Sequence, residues 1–514
     1  MSSRDQTIAA LDEEIDVIIV GGGINGAVSA AALAAHGVRV VLLEANDFAS
    51  MTSQESSNMI WGGIKYLQDY EFSLVWALCR SRNQLLKKYP NRVKQIPFFA
   101  VIGPTSPFSR WLGFLGSILY WFFGRFKTSA PRIFSNAKIA KLNPALNLAS
   151  AKGAIQYNDA ILLDNDARFV WEFIKSASAN GAQVLNYVEV ISATATASGW
   201  DIAAKDKVSG ATYQLKSSAI VNATGPYAQI ITESYQIPTS NKIVISKGVH
   251  LIVPRIETGE KVLAFFDDRG RLFYVLPMHD RTVIGTTDTP AAQPEVDVTD
   301  EDREFLLAQA NRCLKLSTPL TKADIIAERC GVRPLVITNA NELEEVDWIS
   351  LSRKHVVELR PELRAISIFG GKLTDCINVG YEVVELVKKL GIKISKEKLW
   401  IGEHSATVPA SLINDVTAHF PTNAEMIATE IWRRHGEQSA EILKIWQHDP
   451  SAAALVFPGL GFTYGELQFI AENEHVVTGD DLLRRRTPIA LLRRQNEIAS
   501  NEKLSGLLAS LKKI

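Results

Sequence analysis

Acidic side chains are missing from one long stretch of this 514-residue chain: none occurs between Glu71 and Asp159, an interval with 13 Lys or Arg residues. The whole-chain charge of −1 conceals that asymmetry. Cysteine is scarce. The four, at positions 79, 313, 330 and 376, form no Cys-x-x-Cys pair and no cluster with histidine at ligand spacing. Structural zinc, an iron–sulfur centre and a disulfide-stapled secreted fold are therefore disfavoured, and a reducing compartment fits. No apolar run reaches the roughly 20 residues needed to span a bilayer. The start, Met-Ser-Ser-Arg-Asp-Gln with Asp12, Glu13 and Glu14 soon after, does not read as a signal or transit peptide. The basic residues belong to no nucleic-acid reading motif, so no nucleic-acid partner is expected. Neither a fixed-period repeat nor a low-complexity tract is present.

What is present is a folded composition, 46% apolar and 22% charged, and enough length for two or three domains. Inside the acid-free interval lies the uncharged run Trp111 to Phe123, bracketed by Arg110, Arg125 and Lys127. As a helix it extends only ~20 Å, too short to cross a membrane. Aromatic rings beside cations suit the headgroup boundary, where apolar edges are buried and the charges meet anionic lipid. Residues 107–127 are thus a candidate membrane-surface segment. The competing reading is a buried core helix with solvated ends.

Ile15 to Val20 reads as a strand, Ala27 to His36 as a helix stopped by Gly37, and Val38 to Leu43 as a second strand. Near-continuous apolar strands of this kind point to a parallel sheet covered on both faces. A helix is expected over 164–180 and a strand over 181–190. A strand pair is expected at 192–204 and 211–221, turning at Ser209-Gly210. Several strands between 242 and 285 suggest a mixed or antiparallel second sheet, with a helix at 299–315 and a returning strand at Ala365 to Phe369. From about 395 the pattern turns helical. The expected organisation is an α/β protein with a discontinuous dinucleotide-binding, Rossmann-like domain over 12–75, 155–240 and 330–392. A mixed-sheet, substrate-covering domain takes 76–154 and 241–329, and a helical C-terminal domain takes 395–514.

Gly21, Gly23 and Gly26 form Gly-x-Gly-x-x-Gly between the first strand and the first helix. The first glycine permits the turn, the second admits a pyrophosphate to the backbone, and the third lets helix and strand approach. Amides at the helix start then bind the diphosphate. Glu44 lies 18 residues beyond Gly26 at a strand end, placed to accept both ribose hydroxyls and to repel a phosphorylated ribose. The motif does not separate FAD from NAD. Thr52, Ser53 and Ser57 with Trp61-Gly62-Gly63, then Asn222-Ala223-Thr224-Gly225-Pro226, then Gly370-Gly371-Lys372-Leu373-Thr374, are three widely separated clusters suited to an extended flavin cofactor.

With Gly62-Gly63-Ile64-Lys65-Tyr66-Leu67, Lys247-Gly248-Val249-His250, Ile284-Gly285-Thr286-Thr287-Asp288 and Gly331-Val332-Arg333-Pro334-Leu335 added in order, the chain resembles the FAD-dependent glycerol-3-phosphate dehydrogenases of the respiratory type. The likeness runs from Ile15 to about Arg494, and Leu482-Leu483-Arg484-Arg485-Arg486-Thr487 looks like that family's helical cap. The resemblance implies non-covalent FAD and oxidation of glycerol 3-phosphate to dihydroxyacetone phosphate. It also implies a membrane quinone as acceptor and a cytoplasmic protein lying peripherally on the cytoplasmic face of the inner membrane. An oxygen-using oxidase, a dehydrogenase of another small hydroxy or amino acid, and a non-catalytic flavin-binding scaffold are the alternatives. A homo-oligomer is left open.

A phosphate monoester calls for fixed cations, and Arg333 and Lys372 are the candidates. The resemblance adds Arg353, Lys65 and its neighbour Tyr66 to the substrate site. Oxidising the alcohol requires a base for the hydroxyl proton, and His250 is the candidate, whereas His279 reads as a surface residue. Gly21, Gly23, Gly26, Glu44, Thr52, Ser53, Ser57, Trp61, Gly62, Gly225, Gly371 and Thr374 are the expected cofactor contacts. Two positions depart from the family: Trp61 stands where histidine is common, and Lys65 stands where arginine is common. Tryptophan transfers no proton, and lysine lacks the bidentate fork.

Overall fold

Strand Ile15–Val20 lies between two parallel neighbours, Thr212–Asn222 on one side and Val40–Leu43 on the other. In the computed structural model, which describes residues 3–9, 11, 14–143, 145–149, 151–337 and 354–511, this trio is the centre of the first sheet. Ala365–Phe369 extends it in parallel beyond Thr212–Asn222, Gln183–Leu185 extends it beyond Val40–Leu43, and Val356–Arg360 closes one edge antiparallel. Val20 is level with both Leu43 and Asn222, so the chain leaves all three strands at one edge of the sheet. Gly21, Glu44 and Ala223 therefore start their loops side by side, at the carboxyl edge where open α/β sheets take ligands.

Helix Ile24–Ala35 covers one face, flanked by Asp166–Ala179 and Cys376–Lys389. Its alanines allow close packing, and all of its residues after Ile24 are buried. Asn165 caps the second helix by accepting from the Arg168 amide at 2.7 Å, which satisfies one of the donors that a helix start leaves open. The segment expected as one strand over 192–204 is two, Val188–Ala195 and Trp200–Asp206. They are divided at Gly199, where any β-carbon would run into the Ser217 carbonyl.

The second sheet is mixed. Its order is Thr289–Ala291, Lys242–Pro254, Arg281–Gly285, Leu272–Met278, Val262–Phe266, Val93–Ile102, Gly153–Leu162 and Met59–Ile60. Ala327–Ile337 pairs along Lys242–Pro254, and Arg132–Phe134 pairs with Gly153–Leu162. Gly153–Leu162 and Ala327–Ile337 thus belong to this sheet, crossing the boundaries expected at 155 and 330. Gly153–Leu162 is followed within four residues by helix Asp166–Ala179, which packs on helix Ile24–Ala35 of the first sheet, so the sequence order blurs the border there.

Helix Arg110–Phe123 lies on this sheet but is not core. Only Ser117 and Tyr120 are buried, while Trp111 and Leu115 are each 61% exposed and Phe122 is 52% exposed. The solvated face continues onto Tyr70, Phe72 and Phe126. Among the described residues no helix is long and apolar enough to cross a membrane.

The C-terminal region is a bundle of short helices, including Ala424–His435, Ser439–His448 and Tyr464–Asn473, around Trp446 and Phe462. It shares a buried apolar cluster with the second sheet, in which Ile252, Met278 and Val283 belong with Ile489 and Leu492, and ion pairs add to that contact. Arg433 grips Asp164 through both guanidinium nitrogens at 2.7 and 2.6 Å, and Arg485 and Arg486 converge on the fully buried Asp47.

Candidate functional site

Two cavities meet at the carboxyl edge of the first sheet. The outer one, about 390 Å³, is lined by Gly21, Gly23, Glu44, Thr52, Ser53, Gly225 and Gly371. The inner one, about 230 Å³, is lined by Ser57, Trp61, Tyr66, His250, Arg333, Lys372 and Thr374. Ile24, Thr52, Ser53, Pro334 and Gly371 line both, so the space is one elongated channel.

The glycine turn is shaped by close approach. A β-carbon on Gly21 would stand 2.6 Å from the Ala223 carbonyl oxygen, and one on Gly26 would overlap the Gly21 carbonyl. Gly26 works through this packing and lines neither cavity. The Ile24 amide at the helix start donates to Ser53 Oγ at 3.0 Å. Glu44 accepts from the Gly22 and Asn46 amides at 2.6 and 2.8 Å. Burial pushes its carboxyl above the usual range against the pull of those two donors.

The residues fit a dinucleotide. Asn25 Oδ1 and Ser50 Oγ are buried in residues lining the outer cavity and have no hydrogen-bond partner among the described residues. Polar atoms left so are expected where a ligand supplies the partner.

The inner cavity is built by the second sheet. His250 and Arg333 come from the antiparallel strands Lys242–Pro254 and Ala327–Ile337, where Ser246 is opposite Arg333 and His250 opposite Arg329. Arg333 donates to Thr286 Oγ1 at 2.7 Å and lies 3.4 Å from Asp288, so its guanidinium is held without being sealed off. His250 Nε2 is 2.7 Å from Ser57 Oγ. Its Nδ1 is buried with no hydrogen-bond partner among the described residues. Burial, then the charges of Arg333 and Arg329, hold this imidazole well below its ordinary pKa. It is therefore neutral at pH 7. Lys372 Nζ stands 3.9 Å from the centre of the Tyr66 ring, a cation–π contact, and Trp61 packs beside the same ring at 5.8 Å. Thr374 Oγ1 accepts from the Trp61 amide at 3.0 Å.

Two expected residues, Gly62 and Lys65, are placed elsewhere. Gly62 lines neither cavity: its amide donates to Asp159 at 3.1 Å, and a β-carbon there would stand 2.9 Å from Cys79 Sγ. Lys65 lines a separate, apolar cavity of about 630 Å³ beneath helix Arg110–Phe123. Arg353 lies outside the described residues. His279 is exposed, as its sequence context suggests.

Sequence reasoning missed Glu55, whose carboxylate lines the inner cavity and accepts from the Cys330 amide at 3.1 Å and from Arg484 at 3.1 Å. Arg484 also donates to the Gln54 carbonyl at 2.6 Å. A half-buried Glu–Arg pair separated by 429 residues leaves no local signature in the sequence.

Comparison with known proteins agrees with this geometry. Residues 16–355 match the family described as FAD dependent oxidoreductase, and residues 397–513 match the C-terminal domain of alpha-glycerophosphate oxidase. The chain is 29% identical over 494 residues to the aerobic glycerol-3-phosphate dehydrogenase of Escherichia coli, covering 92% of this chain and 94% of that one. It is 28% identical over 499 residues to the D-erythritol 1-phosphate dehydrogenase of Brucella abortus, covering 92% and 94%. The fold is similar to that of the glycerol-3-phosphate dehydrogenase from Bacillus halodurans complexed with FAD, with a TM-score of 0.75 at 23% identity over 99% of this chain and 93% of that one.

Proposed function

The chain belongs to the FAD dependent oxidoreductase family, and from that premise we propose that it oxidises glycerol 3-phosphate to dihydroxyacetone phosphate and delivers the electrons to a membrane quinone. FAD is its cofactor, and oxidation of a small substrate with transfer to an external acceptor is its activity class. The observation that carries the finer reading is the meeting of neutral His250 with cationic Arg333 and Lys372 in one small cavity beside the dinucleotide channel.

When bound, FAD supplies a hydride acceptor. Gly21, Gly23 and the amides at the start of helix Ile24–Ala35 would hold its diphosphate, and Glu44 its ribose. Arg333 and Lys372 bind the substrate phosphate by charge-assisted hydrogen bonds and fix the alcohol carbon in place. His250, kept neutral, receives the hydroxyl proton as the carbonyl forms. Trp61 and Tyr66 wall the cavity and exclude water.

Quinone as acceptor is favoured by the solvated apolar face of helix Arg110–Phe123, which suits a protein lying on the cytoplasmic face of a membrane. A longer polyol phosphate is a second reading of the substrate, supported by the similarity to the D-erythritol 1-phosphate enzyme and by Trp61, a residue of the inner cavity at which the chain departs from its family. The test is anaerobic bleaching of the flavin band with glycerol 3-phosphate, D-erythritol 1-phosphate, glycerol, lactate and malate. Faster bleaching by a phosphorylated alcohol is expected. Equal rates with glycerol and glycerol 3-phosphate would remove the phosphate reading, and stoichiometric hydrogen peroxide in air would favour oxygen over quinone.

A further inference from the structure

Ser57 forms part of the wall between two spaces. On one side is the inner cavity with His250, and on the other is a cleft of about 340 Å³ between the second sheet and the C-terminal helices. The cleft is lined by Lys94, His279 and Met426, all exposed, so it connects Ser57 with solvent. Lys94 and His279 there are accompanied by the Arg255–Glu260 and Arg433–Glu430 ion pairs, a polar setting open to solvent. His250 does not reach it. The imidazole is 1% exposed, lines only the inner cavity, and has Ser57 Oγ as its hydrogen-bonded neighbour at 2.7 Å. Its other nitrogen is buried with no hydrogen-bond partner among the described residues. Among the described residues, a base in this position has one hydrogen-bonded route for gaining or losing a proton, and the route is the serine hydroxyl.

We infer that Ser57 carries protons between the substrate hydroxyl, His250 and the cleft. The inference rests on the reading of His250 as base and deepens it. With bound FAD as the acceptor that would take the hydride, the substrate O–H bond breaks as the carbonyl forms. Its proton goes to Ser57 Oγ while the serine's own proton goes to His250 Nε2. The imidazolium then returns that proton to Ser57 Oγ as the serine hydroxyl proton leaves to water in the cleft. Serine and imidazole regain their starting forms, and one proton is released per alcohol oxidised. The depressed basicity of His250 helps the second half, because a buried imidazolium gives up its proton readily. On this scheme Ser57 contributes to the oxidation itself and not to cofactor binding.

The experiment uses the FAD-loaded protein with Ser57→Ala and Ser57→Thr. Flavin reduction by glycerol 3-phosphate is followed by anaerobic stopped flow, and dihydroxyacetone phosphate binding is followed by the shift of the flavin spectrum. Ser57→Ala is expected to slow reduction about a hundredfold, in the range of a lost proton-transfer group. Its FAD content and product affinity should stay at parental values, and Ser57→Thr, which keeps a hydroxyl, should recover most of the rate. Parental speed in Ser57→Ala overturns the inference, and so does a threonine variant as slow as the alanine one. Should Ser57→Ala lose FAD, the parent decides: a normal solvent deuterium isotope effect on flavin reduction supports the relay, and none overturns it. A parent reduced by no phosphorylated alcohol overturns the reading of the site itself, a different failure from a parent that reacts while Ser57 is dispensable.

Discussion

The guanidinium of Arg333 lies against the bare backbone of Gly248, where a β-carbon would stand 2.5 Å from its Cζ atom. The two belong to paired strands, Lys242–Pro254 and Ala327–Ile337, so the space for the Arg333 guanidinium is made by the absence of a side chain on its neighbour. The tip of an arginine moves more easily than a sheet.

Gly248→Ala should therefore leave the fold intact and displace the guanidinium. The expected result is a rise of about tenfold or more in KM for the phosphorylated substrate, equivalent to ~1.4 kcal/mol. Melting temperature and FAD content should stay near parental values. Arg333→Ala should give the same phenotype more strongly, by ~2 to 5 kcal/mol for loss of a charge-assisted contact. A parental KM in either variant would remove Arg333 from the substrate site.

At the cofactor end, a β-carbon on Gly23 would approach Ser53 Oγ to 3.2 Å, the atom that accepts from the Ile24 amide. Gly23→Val fills the approach to the helix start and should yield apoprotein or insoluble protein. Glu44→Ala should weaken FAD retention more mildly. Flavin absorbance per protein after gel filtration measures both, and full flavin content in the valine variant would exclude this site.

Acid should act through His250. Its pKa is depressed in the folded chain, whereas the unfolded value is near 6.5, so the unfolded state takes up more protons below that point. The stability this group contributes is present above about 6.5 and is lost as pH falls from there through the folded value. Flavin reduction should accordingly persist below pH 6.5 and decline only in stronger acid. A reduction rate that halves near pH 6.5 would show an ordinary, unshifted base.

His355 has the opposite sign. Burial lowers its pKa, but hydrogen bonds to Asp375 at 2.7 Å and Glu382 at 2.9 Å prevail and raise it to about 9. Its contribution is complete below the unfolded value and disappears as pH rises through about 9. Urea midpoints of the parent should fall between pH 7 and 10 more steeply than those of His355→Gln. Parallel profiles would show that the imidazole gains nothing from its two carboxylates.

Contact with the membrane has separable apolar and charged parts. Each exposed ring or leucine contributes about 1.5–3 kcal/mol when fully buried, so changing Trp111, Leu115 and Phe122 to Ser should detach the protein from vesicles at low salt with FAD retained. Trp121 is a poor choice, because its indole donates to the Thr128 carbonyl at 2.7 Å. Arg110, Arg125 and Lys127 changed to Gln should weaken binding to anionic vesicles only, and high salt should mimic that variant. A parent that never sediments with vesicles would end the membrane reading.

The sequence by itself determined the dinucleotide half of the protein. Gly21, Gly23, Gly26 and Glu44 sit within one strand–helix–strand unit, where spacing along the chain is spacing in space, and helix Ile24–Ala35 and strand Ala365–Phe369 follow from local pattern. The run at 111–123 was legible as apolar, but its solvated face was not, because exposure depends on what the sheet leaves uncovered. Only the tertiary structure brought Ser57 to His250, 193 residues away, and Arg484 to Glu55, 429 residues away. Likewise it set Gly62 against Asp159 and Lys65 over an apolar cavity, although both share a motif with Tyr66, which lines the inner cavity. A motif fixes order along the chain. Which side of a turn meets the ligand is decided by packing from elements that the motif does not contain.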